Sequence, residues 1–169
     1  PLVIDRYDTV LGAPFDALVP EAVIRFGRYP VSKRATAFLA NAGAINIVVD
    51  PFETRDFNCA TDVHLRCTPL DFSQTMLAAK QSLGGEDAAD DRQSAFAAAW
   101  LEANAAAAVR VDAVDVVEAG FEGAFVRRVA ERAPEGSCLF AANSMSVRAL
   151  DTFYVKGGRR LTVLCNRGL

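Results

Sequence analysis

Apolar and polar positions near the start of the chain alternate between two periods. Ala22-Val23-Ile24-Arg25-Phe26 reads as a buried strand and Gly27 to Pro30 as a turn. Ser32 to Leu39 then follows the helical period, with Ser32 placed to cap it. Ile45 to Val49 is a second strand, rich in Ile and Val as a sheet covered on both faces requires. Strand, helix, strand in this order is βαβ grammar and predicts a parallel sheet.

After Asp50-Pro51 the pattern becomes polar, then predicts a strand near Asp62–Arg66 and a helix near Phe72–Leu83. The acidic, glycine-containing stretch from Gly84 to Asp91 is the best candidate for an exposed turn or linker. Ser94 to Val109 is alanine-rich and helical, with Trp100 as its one large anchor. A further helix over about Val116 to Arg132 leads through Pro134-Glu135-Gly136 into a strand at Cys138–Ala141. The loop Ala142-Asn143-Ser144, a helix near Val147–Phe153, a Gly157-Gly158 turn and a strand at Leu161–Cys165 repeat the alternation. The expected fold class is therefore α/β, a mostly parallel and Rossmann-like sheet flanked by helices, followed by an incomplete second α/β unit. No helix follows the last strand to cover it, which is expected of a boundary imposed by truncation.

Composition narrows the picture. Of 169 residues, 51% are hydrophobic and 23% charged, the balance of a folding globular chain. A net charge of −3 supplies no general basic field for nucleic acid or for an anionic membrane. No apolar run is long enough for a membrane-spanning helix, and Pro1 to Asp5 lacks signal-peptide features, so the expected compartment is the cytoplasm. Cys59, Cys67, Cys138 and Cys165 include no CxxC pair and are read as reduced packing residues. His64, the single histidine, sits in strand-like alternation with no partner for a triad.

Chemistry concentrates after three strands, where open α/β sheets bind ligands. From Ala22 to Val49 the chain holds four cations and no acid. Two of them, Lys33 and Arg34, fall in a first helical turn, where the macrodipole disfavours positive charge by ~0.3–1 kcal/mol each. An anion docked there would explain that placement, and solvated surface cations are the alternative. In Asn143-Ser144-Met145-Ser146-Val147-Arg148, Ser144 and Arg148 are one turn apart, so both could face one ligand, although capping alone also accounts for Asn143 and Ser144. Asn166-Arg167-Gly168 follows the last strand. Guanidinium groups match carboxylates, so the set suggests a substrate with several carboxylates. Neither nucleotide-binding glycine fingerprint is present, and no metal-ligand cluster appears.

These segments, Val23 to Gly27 with Ser32-Lys33-Arg34, Asn143-Ser144-Met145 with Val147-Arg148, and Asn166-Arg167-Gly168, resemble in order and spacing the MenD family. Those enzymes are the 2-succinyl-5-enolpyruvyl-6-hydroxy-3-cyclohexene-1-carboxylate synthases of menaquinone biosynthesis. Tyr7 to Leu11 and Ile47 to Pro51 also look like the family's central domain. The resemblance implies an internal fragment of a three-domain enzyme, with residues 1–112 as the central domain and 113–169 as the beginning of the C-terminal, diphosphate-binding domain. It implies a transferase that uses thiamine diphosphate and magnesium to decarboxylate 2-oxoglutarate and add the resulting carbanion equivalent to isochorismate. It further implies a homo-oligomer, dimer or tetramer, at full length. Carried over by position, Lys33, Arg34, Ser144, Arg148 and Arg167 hold substrate carboxylate or hydroxyl groups.

The chain departs from the family pattern at Ala142 in place of Gly, Ser146 in place of Pro and Ala149 in place of an acid. The activating glutamate of the N-terminal domain and the downstream magnesium ligands have no counterpart in it. The resemblance therefore implies no catalytic, cofactor-binding or metal residue here, and an inactive isolated chain that binds no cofactor. Two other readings stay open: the central domain of another thiamine-diphosphate decarboxylase, and a free-standing anion-binding or regulatory α/β module.

Overall fold

A computed structural model describes residues 3–12, 16–30, 32–54, 56, 58–82, 91–114, 121–154 and 160–165. Among them the helices are α1 (Tyr7–Val10), α2 (Lys33–Asn41), α3 (Pro69–Ser82), α4 (Asp91–Asp112), α5 (Glu122–Arg132) and α6 (Met145–Phe153). The strands are β1 (Ala22–Phe26), β2 (Ile45–Val49), β3 (Val63–Leu65), β4 (Cys138–Ala141) and β5 (Thr162–Cys165). The chain divides into two compact units, one of Ala13–Leu101 and one of Val3–Gly12 with Glu102–Leu169.

In the Ala13–Leu101 unit the sheet order is β1-β2-β3, and both pairings are parallel, as the βαβ pattern predicts. Ile24 stands opposite Ile47, and Ile47 opposite Val63. Val48 and Val49 at the carboxyl end of β2 are the two most completely buried side chains. Successive strand residues point to opposite faces, so burial of both shows that the central strand is covered on each side there. β1 differs from the expected buried strand. It is an edge, and Ile24 and Phe26 remain 44% and 48% exposed. Only one side of an edge strand has a neighbour, and alternate β1 residues lack covering atoms.

Helix α2 starts where its cap dictates. The Ser32 hydroxyl accepts the Ala35 N–H at 3.1 Å, and the Thr36 N–H bonds to the Ser32 carbonyl. α2 ends at Asn41 with Ala42 as its C-cap, and Gly43 follows with a φ of +63°, which suits glycine just past a helix. α3 begins three residues before the expected Phe72. Thr68 accepts the Asp71 N–H at 3.1 Å and donates to the Asp71 carboxylate at 2.7 Å, with Pro69 in the first helical position. Trp100 anchors α4 as expected. Its ring meets Phe38 and Phe96 edge to face at 6.0 and 6.4 Å, and its indole N–H donates to the Leu18 carbonyl.

In the other unit β4 pairs with β5 in parallel, from Cys138 opposite Thr162 to Ala141 opposite Cys165. α5 and α6 pack against each other through Phe121 and Phe153, whose rings are 5.1 Å apart and edge to face. The expected helix from Val116 is described only from Glu122, since residues 115–120 lie outside the described residues, as do the Gly84–Asp91 linker apart from Asp91 and the Gly157-Gly158 turn. α1 is one turn long, too short to show a helical period in the sequence.

The α5–α6 contact depends on Gly123. It is buried, and a Cβ built there would lie well inside 3.0 Å of the Phe153 and Phe121 rings. Gly123→Ala is expected to destabilise the protein by about 1–3 kcal/mol, because the rings must move out of a packed position. A denaturant titration monitored by circular dichroism measures this, and an unchanged midpoint would refute the close packing.

Candidate functional site

Parallel pairing places the carboxyl ends of β1 and β2 on the same sheet edge, and the loops leaving that edge form a polar network. Gly27, at φ +70°, turns the chain after β1 and donates its N–H to the Val49 carbonyl at 3.2 Å. Arg25 folds over this turn. Its guanidinium donates to the Gly27 carbonyl and, at 3.1 Å, to the Thr54 carbonyl, and it lies 4.0 Å from the centre of the Tyr29 ring. The Tyr29 hydroxyl donates to Asp56 at 3.0 Å, and Asp56 accepts the Ala60 and Thr61 N–H groups at 3.1 and 2.8 Å.

Partial burial pushes the Asp56 carboxyl upward, but the N–H groups of Ala60 and Thr61 and the Tyr29 hydroxyl outweigh it and hold its pKa at about 2. Tyr29 is shifted upward by burial and by its bond to the Asp56 carboxylate. After β2, Asp50 accepts the Phe52 and Glu53 N–H groups, and the His64 Nε2 donates to the Asp50 carbonyl at 2.9 Å. His64 is thus a loop fastener, and Arg25, one of the four cations between Ala22 and Val49, is consumed by carbonyls and an aromatic ring. Nothing in the spacing of Arg25, Tyr29 and Asp56 announced their association, which depends on a loop closing 27 residues downstream.

Lys33 and Arg34 both lie in the first turn of α2 with exposed side chains, and no acid shares that turn. In the other unit, Ser144 stands at the N-cap of α6 with φ 69° and ψ −125°, a backbone conformation that costs a residue with a side chain of order 1–3 kcal/mol. Its hydroxyl does not cap the helix, and Ser144 and Arg148 are exposed one turn apart. Sequence thus placed both pairs correctly on their helices, each pair within its own unit. Arg167 lies outside the described residues.

Beside the N-terminus of α6 is a cavity of about 310 Å³, lined among others by Glu122, Phe125, Val126, Leu139, Phe140 and Ser146. The Ser146 hydroxyl donates to Glu122 at 3.0 Å. Among the described residues no group of three or more His, Cys, Asp or Glu is arranged to hold a metal ion. No helix of the described residues is long and apolar enough to cross a membrane. All four cysteines are free thiols.

Parallel sheets flanked by helices, with polar side chains gathered at strand ends and helix starts, define the class: an α/β domain of the kind found in thiamine-diphosphate enzymes. No protein-family model matches the chain. Among curated proteins it is 34% identical over 99% of its length to the 2-succinyl-5-enolpyruvyl-6-hydroxy-3-cyclohexene-1-carboxylate synthase of Bacillus velezensis. The synthases of the same name from Geobacillus kaustophilus and Desulfitobacterium hafniense are 36% and 33% identical over 98% and 99% of the chain. Along nearly its whole length the chain is similar to these synthases, and it spans 28–29% of their length.

The Asp56 network carries a pH signature. A carboxyl held below its unfolded value adds stability that is complete above about pH 4 and is lost as pH falls toward about 2. Asp56→Asn is therefore expected to lower the thermal midpoint at pH 7 and to converge with the parent protein between about pH 4 and pH 2. Parallel curves for the two proteins across that range, measured by scanning calorimetry, would contradict the assignment.

Proposed function

We propose that the chain is the substrate-holding part of a menaquinone-pathway synthase that decarboxylates 2-oxoglutarate and joins the remaining four-carbon unit to isochorismate. The observation that carries this reading is the placement of Lys33 and Arg34. Both side chains are exposed in a capped first turn that contains no acid, where the helix dipole disfavours cations and favours a docked anion. The likeness to the synthases suggests what the anions are, since both substrates of the proposed reaction are dicarboxylates.

In this reading Lys33 and Arg34 receive one carboxylate, Arg148 receives another in a charge-assisted bond, and the Ser144 hydroxyl bonds a substrate hydroxyl or carboxylate. Arg167 extends the set. These groups position the substrates and offset their charge, and none transfers a proton. Bond making belongs to thiamine diphosphate with magnesium, which we assign to other parts of the enzyme. Residues 1–112 are assigned to the family's central domain and 113–169 to the start of its C-terminal domain, in a cytoplasmic homo-oligomer.

In a full-length synthase carrying this segment, Arg148→Ala and Lys33→Ala are each expected to lower kcat/KM by roughly 10- to 100-fold, the worth of one hydrogen bond to a charged group. Thermal midpoints should barely change, since both side chains are exposed. Parent-like steady-state kinetics in both variants would remove the site. The 169-residue chain alone is expected to bind no thiamine diphosphate, and calorimetric titration with magnesium present showing stoichiometric uptake would overturn that division of labour.

A further inference from the structure

The segment before α1 contains a buried cation that none of the chemistry above uses. Arg6 is 4% exposed, and its guanidinium donates to the carbonyls of Thr152 at 3.2 Å and Tyr154 at 2.7 Å, at the carboxyl end of α6. The last turn of α6 has no basic residue of its own, so the positive charge that its C-terminal carbonyls favour arrives from 146 residues away. The next residue strengthens the hold: the Tyr7 hydroxyl donates to the Asp151 carboxylate at 2.5 Å. The segment is itself fixed to α4, because the Arg6 N–H donates to Asn104 at 2.9 Å and the Asn104 amide donates to Asp5 at 3.1 Å.

Stability alone explains this poorly. The Arg6 Nε–H is buried without an acceptor, and a buried guanidinium gains less than apolar packing of the same volume would. What the arrangement does achieve is direction. The Arg6 Nη1 nitrogen meets both carbonyls while a phenol holds the same last turn at Asp151, and these separate anchor points restrain α6 in rotation as well as in translation along its axis. Ser144 and Arg148 project from the opposite end of that nine-residue helix, and a rotation about its axis would carry the Arg148 side chain away from any ligand at Ser144.

We propose that Arg6, assisted by Tyr7, is a positioning residue for the substrate site, acting through α6 to aim Arg148 and Ser144. The proposal rests on the assignment of those two residues to substrate binding. It gives the segment before α1 a part in specificity that the sequence pattern does not assign to it.

The test is a double-mutant cycle in the full-length synthase. Arg6→Gln is expected to raise the KM for at least one dicarboxylate substrate fivefold or more with kcat changed less than twofold, and Arg6→Lys, which keeps the charge, to recover part of the loss. In an Arg148→Ala background the same Arg6→Gln change should have less than half its logarithmic effect, because the side chain it aims is gone. Tyr7→Phe, a milder change, should show the same non-additivity and serves where Arg6→Gln does not fold. Effects that add fully in both cycles, or a lowered thermal midpoint with unchanged KM, overturn the proposal. If Arg148→Ala alone leaves the kinetics unchanged, the binding assignment itself fails, which is a separate result.

Discussion

Parallel strand pairing is the constraint on which the rest of this structure depends. Two parallel neighbours cannot be joined by a hairpin, so the chain must return across the sheet before pairing again. The return puts every strand's carboxyl end on one edge, and the next helix begins just beyond it. Ser32 and Ser144 both stand at such helix starts, one after β1 and its turn, the other three residues after β4 ends. The cations in or near the first helical turns are therefore delivered to ligand-accessible positions by topology, before any detail of side-chain packing matters.

The two helix starts are built differently. At α2 the hydroxyl of Ser32 is spent on the Ala35 N–H, and the proposed binding groups are the exposed side chains that follow. At α6 the hydroxyl of Ser144 makes no cap, and the backbone takes a costly left-handed conformation that glycine would adopt more cheaply. The order needed to hold this turn comes from elsewhere: from the bond between Ser146 and Glu122, from the close packing over Gly123, and from the buried guanidinium at the other end of the helix.

Arg25 and Arg148 show why residue type alone does not identify a binding cation. Both are arginines in an acidic protein, Arg25 within β1 and Arg148 in the helix after β4. Arg25 is neutralised in effect by two carbonyls and the face of Tyr29, which ties the loop after β2 to the turn after β1. Arg148 is exposed on a helix. Whether an arginine fastens a loop or meets a ligand is decided by which acceptors the fold brings within about 3 Å.

The sequence by itself determined the order of elements, the parallel class of both sheets, the Ser32 cap, the Trp100 anchor and the helix-start placement of Lys33, Arg34 and Arg148. Each of these depends on short-range periodicity, capping chemistry or a connection too long for a hairpin, and those operate within a few residues. Tertiary structure alone decided the exposure of β1, the Arg25–Tyr29–Asp56 network, the loop-fastening role of His64 and the reach of Arg6 to Thr152 and Tyr154. Apart from the Arg25–Tyr29 stacking, those are contacts between residues 14 to 148 positions apart or, for β1, the lack of a second neighbouring strand, and no local pattern encodes a partner that only folding brings near.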